Sequence, residues 1–227
     1  MNFDFARVFQ ELTPLLWDGF QTTVYVSIIS IVLGMMVGLL SCYFRTCRFR
    51  ILRFLAASYV WVIRGTPMIV QAFFFFFGLN QVTQAMLGFQ LLSRDMAGIL
   101  TVTLNAGAYF TEIFRGGIAA VDKGQTEAAR SLSLPQSRTM LRVVLPQALR
   151  ISLPSMVNQW IISIKDTAIL SAIAVGELMN RTQVYAFGTF VFFESFIFVA
   201  VWYLVLLSAL MILSNRLEAR MNYDKKN

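Results

Sequence analysis

Three polar side chains set in an apolar run, Gln159, Ser163 and Asp166, have the most chemistry to offer in this sequence. Their i, i+4, i+7 spacing places all three on one face of a helix. A carboxylate at the centre of a spanning helix costs roughly 2.5–3.5 kcal/mol, so it faces protein or a water-filled path. This leaves two readings. Asp166 meets the cation of a passing solute, with Gln159, Ser163 and the adjoining Asn158 along the same path, or a Lys or Arg of a neighbouring helix neutralises it and it fixes packing. Lys165 lies about 100° away around the helix and is not the evident partner. A second candidate is Arg64-Gly65-Thr66-Pro67, where proline removes a backbone donor and glycine weakens the helix. Backbone groups freed at membrane depth are tolerated only against protein or water, and broken helices commonly flank transport sites. Arg64 either meets a solute carboxylate or snorkels to the membrane interface, and Thr66 lies at the break.

Other chemistries are excluded by what the chain lacks. Histidine is absent and the two cysteines are Cys42 and Cys47, so no imidazole metal site or His-dependent triad can be built, and no catalytic or metal residues are assigned. The cysteines read as small apolar filler. No G-x-x-x-x-G-K-[ST] phosphate loop is present, so the chain binds no nucleotide of its own and has no cofactor. The net charge of +7 does not point to nucleic acid, because the basic residues fall in short clusters between apolar runs.

The elements that must position these residues are membrane spans. The chain is 57% hydrophobic and 14% charged, with a mean hydropathy of +0.65. That balance predicts an all-α membrane protein. Five apolar runs are long enough to cross: Gly19–Phe44, a run from Phe54 to Leu79 broken at Arg64–Pro67, about Met96–Phe114, Ile151–Val175 and about Ser195–Ser214. The first is too long for a signal-peptide core and comes after acidic residues, so no cleavage is expected. Fourteen of the 19 Lys and Arg residues fall in one set of connections, while Arg7, Arg94 and Arg181 fall in the other. The positive-inside rule then puts the N-terminus outside and the C-terminus in the cytosol. Before the first span, Phe5, Val8, Phe9, Leu12 and Leu16 recur at helical spacing, which predicts an amphipathic leader over 1–19 lying on the outer surface. A permease-like body over 20–215 and a basic cytosolic tail over 216–227 complete the division. The phenylalanines Phe73 to Phe77 cover every side of a helix and read as lipid and packing surface.

The cytosolic connection of about 115–150 is the longest. Residues Gln125–Arg130 are good helix formers with Glu127 early, and Pro135 and Pro146 interrupt the stretch beyond Arg130. The prediction is a short helix, a turn near Ser133–Gln136 and a second helix returning to the membrane, an elbow. Ala128 and Ala129 permit close approach of another surface, and Leu132 and Leu134 stay exposed unless a partner covers them. The same basic segment can also rest on anionic lipid.

Glu127-Ala128-Ala129, with Val144-Leu145-Pro146 further on, resembles the EAA loop of ABC-importer permeases. The stretches AYFTEIFRGGI (108–118), VIRGTPMIVQ (62–71) and NQWIISIKDTAILSAI (158–173) look like permeases of the polar amino-acid subfamily, the histidine, glutamine and arginine type. The resemblance covers about residues 14–220. It implies a type I importer permease fold with a coupling helix, and an ATPase-coupling set of Glu127, Ala128, Ala129, Leu132, Ser133 and Leu134. It also implies partner ATPase subunits that bind ATP and magnesium, a second permease chain, the same or related, an external solute-binding protein, and a bacterial cytoplasmic membrane location. One departure is Ser133, where the family usually has glycine, a residue that takes positive φ more easily. The function implied is translocation of polar or charged amino acids by alternating access. The alternative from another class is an ion-gradient-driven carrier, which would be expected to show a paired internal repeat.

Overall fold

The computed structural model describes residues 4–223, with the side chains of that range except 213, 215 and 217–223. Lys225 and Lys226 of the expected basic tail lie outside the described residues, as do the first three residues of the expected leader. Every regular element among the described residues is helical.

Helix α1 runs from Phe5 to Thr46, 42 residues, and opens with the Asp4 carboxylate accepting from the Arg7 N–H at 3.0 Å. At 1.5 Å per residue it is roughly 63 Å long, twice the hydrocarbon thickness. The leader is therefore not a separate surface helix: from Phe5 onward it forms the first turns of α1, and no break marks residue 19. Val8, Leu12 and Leu16 are 2%, 0% and 0% exposed, packed against Leu178 and Val199 later in the chain. The apolar stripe that read as membrane-facing has found protein instead, while Phe9 on its flank stays exposed and meets the Phe198 ring at 5.9 Å.

Further along, α1 lies against α5 (Arg94–Ala119) through a small-residue seam. Gly34 and Gly38 are four apart and face Ala106, Gly107 and Phe110; a Cβ on Gly38 would stand 2.5 Å from the Phe110 Cβ, and one on Gly34 would stand 3.1 Å from the Ala106 Cβ. Spacing of this kind lets helix backbones approach where the hydrophobic effect between helices is weak. Two hydroxyls on the same helix face are satisfied, Ser27 donating to the Thr23 carbonyl at 2.6 Å and Ser30 to the Ile99 carbonyl at 3.3 Å, while that of Ser41, further along the face, is buried without a partner among the described residues.

Helix α2 (Arg50–Gly65) meets α3 (Met68–Phe73) at a bend of 109°, across the extended residues Thr66 and Pro67. The predicted break is thus present. A π-helical turn (Phe74–Leu79) and α4 (Asn80–Leu87) continue the chain. Phe75 and Phe76 pack on the core, whereas Phe73, Phe74 and Phe77 are exposed, the division of lipid and packing surface expected of the run.

The elbow comprises α6 (Lys123–Ser131), a turn, α7 (Gln136–Thr139) and a π-helical turn (Met140–Val144) leading into α8 (Leu145–Asp166). At Thr167 the α-helix tightens into a 3₁₀ helix (Thr167–Ile173), where the Thr167 hydroxyl donates to the Ile164 carbonyl at 2.7 Å and competes with the regular ladder. Asp166 is therefore the last α-helical residue, not a mid-helix one. Helices α9 (Leu178–Thr189) and α10 (Phe192–Tyr223) complete the chain. By length and composition α1 and the segment Phe192–Ile212 can each cross a membrane, and the bent pair of Arg50–Gly65 and Met68–Leu87 has the composition of either a broken span or a re-entrant loop. Helices α5 and α8 have 26 and 22 residues, enough to span, but a more polar composition.

Candidate functional site

The helix break and the polar face of α8 open on one groove of about 750 Å³. The break supplies Thr66, Pro67 and Met68, α5 supplies Asn105, Tyr109 and Ile113, and α8 supplies a face from Pro154 to Asp166 that includes Asn158 and Gln159. Four of the six residues predicted for a solute path, Thr66, Asn158, Gln159 and Asp166, are thereby brought together from elements that are far apart in sequence. Ser163 stands behind them, 1% exposed, and accepts from the Gln159 amide at 3.3 Å. Arg64 is not in this groove. It lines a neighbouring hollow of about 660 Å³ with Arg45 and Glu112, and its guanidinium lies over the Tyr109 ring, 5.2 Å from the centroid.

Gln71 and Asn105 went unread in the sequence, and both matter to the groove's shape. The Gln71 amide nitrogen lies 2.8 Å from the Ile63 carbonyl and 3.1 Å from that of Thr66, taking up acceptors that the break leaves without helical donors. Asn105 donates to the Gln71 side-chain oxygen at 3.3 Å, tying the break to α5. The available signal was Asn105 itself, a lone amide inside an apolar run, with Tyr109 and Ile113 at i+4 and i+8 from it.

Asp166 is half-buried and takes part in none of the ion pairs among the described residues. The neighbouring-helix cation offered by the second reading of this residue is thus not found in the described part of the chain. The groove presents one carboxylate, the amides of Asn105, Asn158 and Gln159, a phenol and two hydroxyls. Such a set accepts from a cationic group and exchanges hydrogen bonds with a polar solute. In the wall of the hollow, Glu112 accepts from Arg45 at 2.7 Å, pinning the end of α1 to α5, and from Arg115 of its own helix at 2.6 Å.

In the elbow, α6 opens with the Asp122 carboxylate accepting from the Gly124 N–H at 2.7 Å and closes on Ser133, whose φ is 58°. The Ser133 N–H donates to the Arg130 carbonyl at 2.8 Å and the Leu134 N–H to that of Ala129 at 3.1 Å. That bond pair is a Schellman motif, with serine in the left-handed position that glycine usually fills. Glu127 and Ala128 are exposed, but Ala129 is buried inside the chain, because adjacent helical positions point about 100° apart. Leu132 is 78% exposed and Leu134 half-buried. Of the expected coupling set, then, Glu127, Ala128, Leu132 and Ser133 form the open surface.

Residues 8–223 match the family described as binding-protein-dependent transport system inner membrane component. The chain is 38% identical to the glutamine transport system permease protein GlnP of Escherichia coli, over 97% of this chain and 99% of that one. It is 33% identical to the arginine transport system permease protein ArtQ of Bacillus subtilis, over 97% and 98%. Among solved structures, a crystal structure of an amino acid ABC transporter with histidines superposes with a TM-score of 0.89 at 33% identity, covering 97% of this chain and all of that one.

Proposed function

Since this chain belongs to the family of binding-protein-dependent transport system inner membrane components, we propose that it is the membrane-spanning permease subunit of an ATP-driven importer of polar or charged amino acids. Five spans cross the cytoplasmic membrane, with the N-terminus outside and the elbow of about 115–150 and the basic tail of 216–227 in the cytosol. Two such permeases, this chain paired with a copy or a relative, work with two ATPase subunits that hold ATP and magnesium. An external solute-binding protein delivers the amino acid. Closure of the ATPases on nucleotide moves the elbow, and the spans open the groove to one side and then the other.

The observation that carries this reading is the groove, where a helix break and a polar helix face meet around a carboxylate with no ion-pair partner among the described residues. Asp166 takes the solute's ammonium group, and the amides of Asn158 and Gln159 hold its remaining polar groups. Glu127, Ala128 and Leu132 make the docking face for the ATPase. The glutamine and arginine permeases among its relatives support an amino-acid cargo.

The test is uptake of labelled amino acids into vesicles holding the assembled complex. Uptake that requires ATP and survives an ionophore, and that falls at least tenfold in Asp166→Asn while assembly is kept, is the expected result. Uptake that tracks an ion gradient without ATP would instead make the chain a secondary carrier. Wild-type uptake by Asp166→Asn would remove the carboxylate from the path.

A further inference from the structure

Helix α8 turns a different face, Ala148, Leu149 and Ser152, toward a second cavity of about 400 Å³ that the transport reading leaves unused. Its other walls are the last turns of α1 and α5 and the part of the elbow that returns to the membrane. Leu39, Phe114, Ile118, Leu141, Leu145 and Leu149 dominate the lining, and no charged side chain enters it. Such a surface is covered by something apolar.

The charges beside the cavity identify the occupant. Arg138 comes directly after the lining residue Ser137, Arg142 after Leu141, and Arg150 after Leu149. All three arginines are exposed, and none belongs to an ion pair among the described residues. An apolar slot whose lining residues are followed directly in the chain by exposed arginines, outside any ion pair among the described residues, is complementary to a molecule that joins a hydrocarbon chain to a phosphate. We propose that this cavity holds one acyl chain of an anionic phospholipid, with the lipid phosphate against Arg138 and Arg142. The elbow forms one wall, so the lipid touches the same element that offers Ala128 and Leu132 to a partner. The proposal needs neither the transport direction nor the ATPase, and it stands or falls separately from them.

The experiment uses the full chain purified in detergent and stripped of lipid. Dioleoyl phosphatidylglycerol or dioleoyl phosphatidylcholine is added, and native mass spectrometry counts retained lipids. One phosphatidylglycerol is expected to stay in preference to phosphatidylcholine. Arg138→Ala and Arg142→Ala should each lower its retention about fivefold, the weight of one cation at an anionic surface. Leu149→Trp, which fills the slot from its rim, should lower retention of both lipids. Circular dichroism checks that each variant keeps its helices. Equal retention of the two lipids, unchanged by the arginine substitutions, overturns the proposal. So does a lipid-free dimer disrupted by Leu149→Trp, which would assign the cavity to a second copy of this chain.

Discussion

Replacing Ser133 by glycine should tighten the elbow. A left-handed backbone costs an L-residue about 1–2 kcal/mol, and Ser133 adopts it at φ 58°. Glycine removes that cost but loses about 0.4–1 kcal/mol through its looser unfolded chain. The balance favours the variant by roughly 0.7 kcal/mol, about a threefold shift in any local opening equilibrium. The reporters are the two amides that close α6, Ser133 N–H to the Arg130 carbonyl and Leu134 N–H to the Ala129 carbonyl. Hydrogen exchange on the purified chain, corrected for intrinsic rates, should be about threefold slower at both positions in Ser133→Gly. Ser133→Val carries a β-branched side chain into the same conformation, so its amides should exchange faster than in the natural chain. Exchange in the glycine variant at or above the wild-type rate would refute the argument, since the strain would then not reside at this residue.

The α1/α5 seam gives a second prediction. Gly38→Ala places a methyl 2.5 Å from the Phe110 Cβ and should cost about 1–3 kcal/mol in thermal or denaturant unfolding in detergent, whereas Gly116→Ala, with nothing within 4 Å, should not destabilise. Equal midpoints for the two variants would show the seam to be loose. A third concerns pH. Hydrogen bonds from Arg7 and then from Tyr185 hold the Glu11 carboxyl below its ordinary value of 4.5, and this pairing ties the first turns of α1 to α9. A carboxylate with a lowered folded value contributes stability above its unfolded value and loses it as pH falls through the folded one. The Glu11 midpoint monitored by NMR should lie under 4.5 and rise in Tyr185→Phe; a natural-chain midpoint at or above 4.5 removes the link.

Much of the architecture was legible because each signal was local. Gly65 and Pro67 act on their own backbone, so the break between α2 and α3 could be read without knowing its neighbours. Pro135 and Pro146 marked the elbow in the same way. The face that brings Gln159 and Asp166 to the groove comes from helical period alone, but period could not tell that Ser163, on the same side, would be buried behind them. Features that depended on distant partners were misread or missed. The stripe Val8, Leu12, Leu16 is equally suited to lipid and to protein, and only the folded positions of Leu178 and Val199 decide between them. Arg64 precedes the break, but its direction is set by a 109° bend that no local residue specifies. Gln71 reads as one amide in an apolar run, and its use becomes clear only when the carbonyls of Ile63 and Thr66 come within reach.

The glycine seam between α1 and α5 also constrains how the protein is made. Gly38 leaves the ribosome about 70 residues before Phe110, the side chain it packs against. At roughly 5–20 residues per second, that delay is several seconds. Throughout it α1 sits in the bilayer with its small-residue face bare, a surface that any other small-faced helix can enter. A nascent copy of the same α1 carries such a face. Biogenesis of this protein is therefore a race between the arrival of α5 and the encounter of two unfinished chains, and faster synthesis of many copies tilts it toward the wrong pairing.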